Sequence, residues 1–245
     1  MRLPVLALGV GLVSLIARPS GGADHLNLES GLPVAIEDAY PIPRGGFELL
    51  TLLRAGRFES RNESLLSPIL EWGFADGWEA KLTVPWHLGG TEEGVEEVGV
   101  EVLYNFNAET LKMPAFALTL GGDVATKGSA VDPALGLIVT RTLGRAWHLD
   151  RLHLNLGARH NSDRRRRERN ELLRAALGYS RRLDAVSMLV TDVVFEQRER
   201  EGRESLLLEA GVRHQLSPLT VFSVGVGLSR DSPDFRIAVG FQRAM

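Results

Sequence analysis

Cysteine is absent from the 245 residues, so no disulfide and no thiolate metal site exists. Past the N-terminus there is no apolar run long enough for a transmembrane helix. A basic surplus is missing too. Lys and Arg total 28 against 31 Asp and Glu, a formal net charge of −3, and nothing in that balance invites a nucleic acid. No His/Asp/Glu set has the spacing of a metal site, and no glycine-rich loop follows a strand to open a helix. The sequence therefore gives no reason to expect a metal, a cofactor or an enzyme.

What is present is alternation. In Trp78–Leu88 every even position is apolar (Trp78, Ala80, Leu82, Val84, Trp86, Leu88), and Glu79, Lys81, Thr83, Pro85 and His87 stand between them. A period of two reads as a β-strand with one apolar and one polar face. Tryptophans near both ends of the apolar face suit the two interfaces of a membrane. The pattern recurs at Phe47–Leu53, Leu66–Phe74, Val98–Phe106, Phe116–Val124, Leu135–Val139, Leu152–Leu156, Leu173–Tyr179, Leu206–Val212, Phe222–Leu228 and Phe235–Phe241. In Ala185–Gln197, Asp192 and Phe195 do not follow one clean parity.

These segments amount to about twelve strands, an even number within the range of bacterial outer-membrane barrels. Charged residues make up 24 %, and many of them sit mid-strand on the polar parity. A helical membrane protein could not carry them there, whereas a barrel with a polar interior can. A soluble β-sandwich or lipocalin-like barrel also alternates, but mid-strand charge combined with interfacial aromatics favours the membrane barrel. The expected fold is all-β: an antiparallel up-and-down transmembrane β-barrel in an outer membrane.

Residues 1–23 read as a signal peptide, with Arg2 ahead of the apolar run Leu3–Ile16 and small residues at Ser20–Ala23. Residues 24–45, broken by Pro33, Pro41 and Pro43, are expected to be a periplasmic lead segment, and 46–245 the barrel. The connections at Ala75–Gly77 and Leu216–Pro218 are tight, whereas Gly89–Gly94, Thr126–Asp132 and Asn161–Arg169 are longer and polar. Short turns belong on the periplasmic side, which places both chain ends there.

If the polar parity faces inward, Glu48, Glu79, Glu101, Asp123 and Glu209 share the lumen with Lys81, Arg151, Arg159, Arg174, Arg213 and Arg236. Such a mixed lining would bias the passage of ions or solutes through an open lumen, or pair with itself in a filled one. Glycines 99, 121, 157, 178, 211, 225, 227 and 240 thin that face and suggest free space. Arg164, Arg165, Arg166, Arg167 and Arg169 form the densest charge run. On an outer loop, guanidinium groups suit the phosphates of lipopolysaccharide. The expected partners are membrane lipid and lipopolysaccharide, the barrel-assembly machinery and a small-molecule solute.

Glu29–Pro33, Ile36–Pro43 and Phe47–Leu49, together with Leu152–Gly157, resemble the phenol meta-degradation-pathway (MetA-pathway) type of outer-membrane β-barrel transporter. That resemblance implies a porin-like channel for small compounds, aromatic or hydrophobic ones among them, without catalytic residues. His160-Asn161-Ser162 resembles the His-x-Ser motif of outer-membrane phospholipase A and lipid A deacylases, but Asp163 stands where those families generally carry asparagine. Outer-membrane barrels usually end on an aromatic read by the assembly machinery, and here Phe241 is followed by Gln242-Arg243-Ala244-Met245.

Overall fold

The computed structural model describes residues 22–58, 61–89, 93–127, 129–144, 148–162, 167–229 and 235–245. These form thirteen strands: β1 Phe47–Phe58, β2 Arg61–Ala75, β3 Trp78–Thr83, β4 Trp86–Gly89, β5 Glu97–Asn107, β6 Ala115–Ala125, β7 Val131–Thr142, β8 Arg151–His160, β9 Glu171–Arg182, β10 Ser187–Gln197, β11 Glu204–Ser217, β12 Thr220–Ser229 and β13 Phe235–Ala244. Each pairs antiparallel with its neighbours, and β1 bonds to both β2 and β13, which closes the sheet. Closure removes the edges that lipid could not satisfy.

β3 and β4 are one barrel strand interrupted at Val84–Pro85, since both pair with β2. Sequence alternation reads this stretch as continuous. Pro85 has no N–H to give to a ladder, and only β3 pairs with β5. The barrel is thus twelve-stranded and antiparallel.

Alternation sorts the side chains as the period-two rule requires. Trp72, Leu82, Leu120, Leu135, Leu177, Leu208, Val226 and Ile237 are exposed on the outside, while Glu48, Glu71, Glu79, Asn155, Asp192, Glu209 and Arg213 are buried inside. At the short-turn end, which faces the periplasm in barrels of this kind, the outer face carries a run of rings from Phe47 through Trp72, Phe74, Trp78, Tyr104 and Phe106 to Phe116. Successive centroids are 4.2–6.3 Å apart. Such a girdle marks a membrane interface.

The core lies in the lumen, and the segment before β1 builds it. Residues 24–45, expected as a periplasmic lead, instead run through the barrel interior. Leu28, Val34, Ala35 and Ile36 pack on Ala176, Met188, Val190, Val194 and Leu207. Leu32 packs on Leu50, Leu52, Ile69 and Ala238, and Ala39 on Leu103, Ala115, Ala117 and Ile138. This explains β10, where Asp192 faces inward and Phe195 outward on ordinary parity. Its inner face is also apolar because it meets Val34–Ile36, so the alternation in the sequence is blurred.

The lumen glycines belong to the same fit. They read from sequence as free space; at Gly178, Gly211, Gly225 and Gly240 the lead segment occupies it, whereas Gly157 lines an open cavity. A Cβ on Gly178 would lie 2.3 Å from Ile36 Cδ1, one on Gly211 2.5 Å from Pro33 Cγ, and one on Gly225 2.6 Å from the Pro33 carbonyl oxygen.

Candidate functional site

An extended chain inside a barrel has no ladder partner, yet its buried N–H and C=O groups must be bonded. The inward side chains of the wall supply the partners. Asp192 accepts from the amides of Ala35 (2.8 Å) and Ile36 (3.0 Å), and Glu209 accepts from Ala35 at 3.1 Å. Asn155 takes the Glu37 amide at 2.7 Å and donates to the Glu37 carbonyl at 2.9 Å. Thr140 accepts from Ala39 at 3.0 Å, Glu79 accepts from Ile42 at 2.9 Å, and Asn105 donates to the Ala39 carbonyl at 2.6 Å. Behind Thr140, His153 bridges it (3.2 Å) to Ser180 (2.9 Å) in a buried chain.

The cationic wall residues grip carbonyls. Arg213, fully buried, donates from Nε to His25 O at 3.1 Å and from Nη1 to Leu32 O at 2.8 Å; it also reaches Asp24 O at 3.4 Å and the Gln242 amide oxygen. Arg151 donates to Leu26 O at 3.1 Å, lies 3.8 Å from Asp38, and stands over the Tyr40 ring. Arg174 donates to Ala35 O at 2.9 Å.

Lys81 is the densest node. Its ammonium is 2.7 Å from Glu37 and 3.1 Å from Glu29, both in the lead segment. It is also 3.2 Å from Glu71 and 3.7 Å from Glu79, both on the wall. Oxygens of Glu29, Glu37 and Glu79 lie within 4.8 Å of one another, close enough for an ion, but the Lys81 ammonium already sits among them.

Every lumen residue expected from the sequence lies on the inward parity. Glu79, Lys81, Arg151, Arg174, Glu209 and Arg213 contact the lead segment directly. Glu48 acts at one remove, accepting from Gln242, and Arg236 through Glu209, to which its Nε donates at 2.9 Å. Asp123 pairs with Arg159 at 3.1 Å. Glu101 makes no ion pair among the described residues. Asp192, Asn155, Thr140, Asn105 and Gln242 were not singled out from sequence. Their signal was present, since each is a polar residue at an inward position of its strand.

Above the lead segment, toward the loop end, the lumen opens into a cavity of about 920 Å³. Ser30 and Glu37 contribute from the lead segment, Glu101, Thr119, Asn155, Arg159, Arg174 and Glu204 from the walls, and 198–200, 202 and 203 from the β10–β11 loop.

The other expected sites lie on the rim. Arg164, Arg165 and Arg166 fall outside the described residues; Arg167 is exposed, and Arg169 lies 3.4 Å from Glu204. His160 bonds Glu171 at 2.7 Å, while the Ser162 hydroxyl donates to the Val131 carbonyl and its amide to Asp132 at 2.8 Å. The His-x-Ser spacing therefore does not form a nucleophile–base pair here.

No family model and no curated protein sequence matches the chain. Solved structures do. The COG4313 outer membrane channel from Pseudomonas putida F1 aligns with a TM-score of 0.65 at 12 % identity, over 89 % of this chain and 100 % of that one. The NanC porin aligns with a TM-score of 0.59 at 9 % identity, over 80 % and 98 % of the two chains. The KdgM porin gives 0.55 at 11 %, over 80 % and 98 %. The fold is that of an outer-membrane β-barrel. At these identities the likeness is one of fold, and the chemistry of this barrel has to be read from its own lumen.

Proposed function

We propose that this barrel is a channel for small solutes whose lumen is closed by its own residues 24–45. The observation that carries this reading is the arrangement along the barrel axis: a segment bonded through its backbone to the wall, and beyond it a cavity of about 920 Å³ reaching the loop end. A barrel filled by wall side chains alone would need no such segment. Here the inward glycines make room for one. Solute would enter from the loop end and pass when the segment shifts. The reaction is passive, since the lumen offers charge and hydrogen bonds to a solute and no chemical step.

The phenol-pathway resemblance supports aromatic or hydrophobic solutes through the lead-segment residues that carry it. The cavity wall, with Glu37, Glu101, Arg159 and Arg174, supports polar ones. Residues 1–23 are proposed as the export signal, and the assembly machinery as the partner that inserts the chain. Contact of Arg164–Arg169 with lipopolysaccharide phosphate is proposed for the outer rim. Neutralising Arg164–Arg167 should reduce lipopolysaccharide retained on purification, and equal retention would remove that contact.

The channel reading is tested by liposome swelling with sugars and amino acids of graded size. Proteoliposomes of a variant lacking 24–45 should swell several-fold faster than those of the full chain. Equal, background-level swelling from both would leave a filled structural barrel.

A further inference from the structure

The charges that join the lead segment to the wall are out of balance. Lys81 Nζ lies 3.1 Å from Glu29 and 2.7 Å from Glu37 of the segment, and 3.2 Å from Glu71 and 3.7 Å from Glu79 of the wall. One ammonium serves four carboxylates, and all four are buried. Among the described residues the segment has one other ion pair with the wall, Asp38 with Arg151 at 3.8 Å. The two pairs of carboxylates are held differently. Glu71 faces Lys81 across the β2–β3 ladder, and Glu79 stands two residues before it on the same inward face. Glu101 faces Lys81 from β5. The sheet fixes these three, whereas Glu29 and Glu37 come and go with the segment.

Glu71 gives the segment no support. Neither of its oxygens accepts a hydrogen bond among the described residues, so it bonds none of the segment's amides. It acts on the segment by charge, and that charge has the wrong sign for holding Glu29 and Glu37. Oxygens of Glu29, Glu37 and the wall's Glu79 already lie within 4.8 Å of one another. Buried like charges at such range repel with little screening. If the segment withdraws, Glu29 and Glu37 regain water while Lys81 keeps Glu71 and Glu79. The ammonium is then never stranded, which is the costly outcome for a buried charge. A group with one set of partners in each of two arrangements is what a two-state element requires.

We propose that Lys81 is a two-position latch, shared with Glu29 and Glu37 when the lumen is closed and held by Glu71 and Glu79 alone when it is open, with Glu71 as the residue that favours release. This rests on the reading of residues 24–45 as the closure of a channel and gives that closure its switch.

Amide hydrogen exchange of the full chain in detergent micelles tests it, because exchange inside the lumen reports local opening. The amides to follow are Ile36 and Ala39, which bond to Asp192 and Thr140 and to neither substituted side chain. Lys81→Gln should speed their exchange at least ten-fold, since four carboxylates then meet without a cation. Glu71→Gln should slow it at least three-fold, since the opposing charge and the competing partner go together. Amides of β9 and β10 should stay protected in both variants, and both should migrate as folded barrels on unheated gels. Faster or unchanged exchange in Glu71→Gln would overturn the proposal, as would slower or unchanged exchange in Lys81→Gln. If Lys81→Gln does not form a barrel, Glu71→Gln decides alone, because it relieves charge instead of stranding it. The two readings fail separately. These opposite shifts, with no current from a barrel lacking 24–45, would keep the latch and remove the channel. Current from that barrel without the shifts would keep the channel and remove the latch.

Discussion

At the scale of single residues, the lumen is organised by what the lead segment needs. Gly178 is the clearest case, because Ile36 occupies the volume that any larger residue would take. Gly178→Val should therefore displace the segment locally and leave the ladder around β9 intact. Hydrogen exchange should report faster exchange at Ala35, Ile36 and Glu37 with β9 and β10 amides still protected, and unchanged exchange at Ala35 would contradict the fit. Arg213 is the second case. It is fully buried and serves the carbonyls of Asp24, His25 and Leu32. Arg213→Met keeps the volume but leaves those carbonyls without their donor, which should cost about 3 kcal/mol. A lower urea midpoint for the refolded barrel would report it, and an unchanged midpoint would mean that water replaces the guanidinium.

At the scale of elements, the lead segment is extended chain held by side chains instead of by a ladder. Amides of Ala35, Ile36, Glu37, Ala39 and Ile42 donate to wall carboxylates, an amide and a hydroxyl. They should exchange as slowly as strand amides. Exchange at the rate of the exposed 198–203 loop would show that the segment does not reside in the lumen. The wall itself was legible from period two, since each strand has one face in lipid and the other inside. The segment was not legible, because prolines and the lack of alternation mark a break without saying where the chain lies. Its imprint on the wall was nonetheless written in the sequence. Leu50, Leu52, Leu172, Val194 and Leu207 are apolar at inward positions, in doublets such as Leu49-Leu50 and Leu172-Leu173 that alternation alone does not explain. Inward glycines opposite Pro33 and Ile36 complete the same imprint. The Val84–Pro85 interruption was equally visible as a proline, but its effect depends on which neighbour the strand keeps, β2 along its length and β5 only as far as Thr83.

At the scale of the whole molecule, a closed sheet with an apolar exterior and a ring girdle at its short-turn end sits across a bilayer in one orientation. Trp72 and Trp78 belong to that girdle, and Trp86 lies nearer the loop end on the same outer face. In liposomes with brominated acyl chains, a Trp86→Phe variant should keep the quenching that comes from the girdle. A Trp72→Phe/Trp78→Phe double variant should lose most of the quenching that shallow bromines, near the headgroups, produce at the short-turn interface. Equal quenching in both would contradict the placement of the girdle. The central claim is that residues 24–45 close an otherwise conducting barrel. It is tested most directly by single-channel conductance in planar bilayers, comparing the full chain with a variant lacking those residues, each first verified as a barrel by heat-dependent gel migration. The account predicts brief or absent current steps from the full chain and long-lived, larger steps from the variant. Silence from a verified barrel without its lead segment would contradict it.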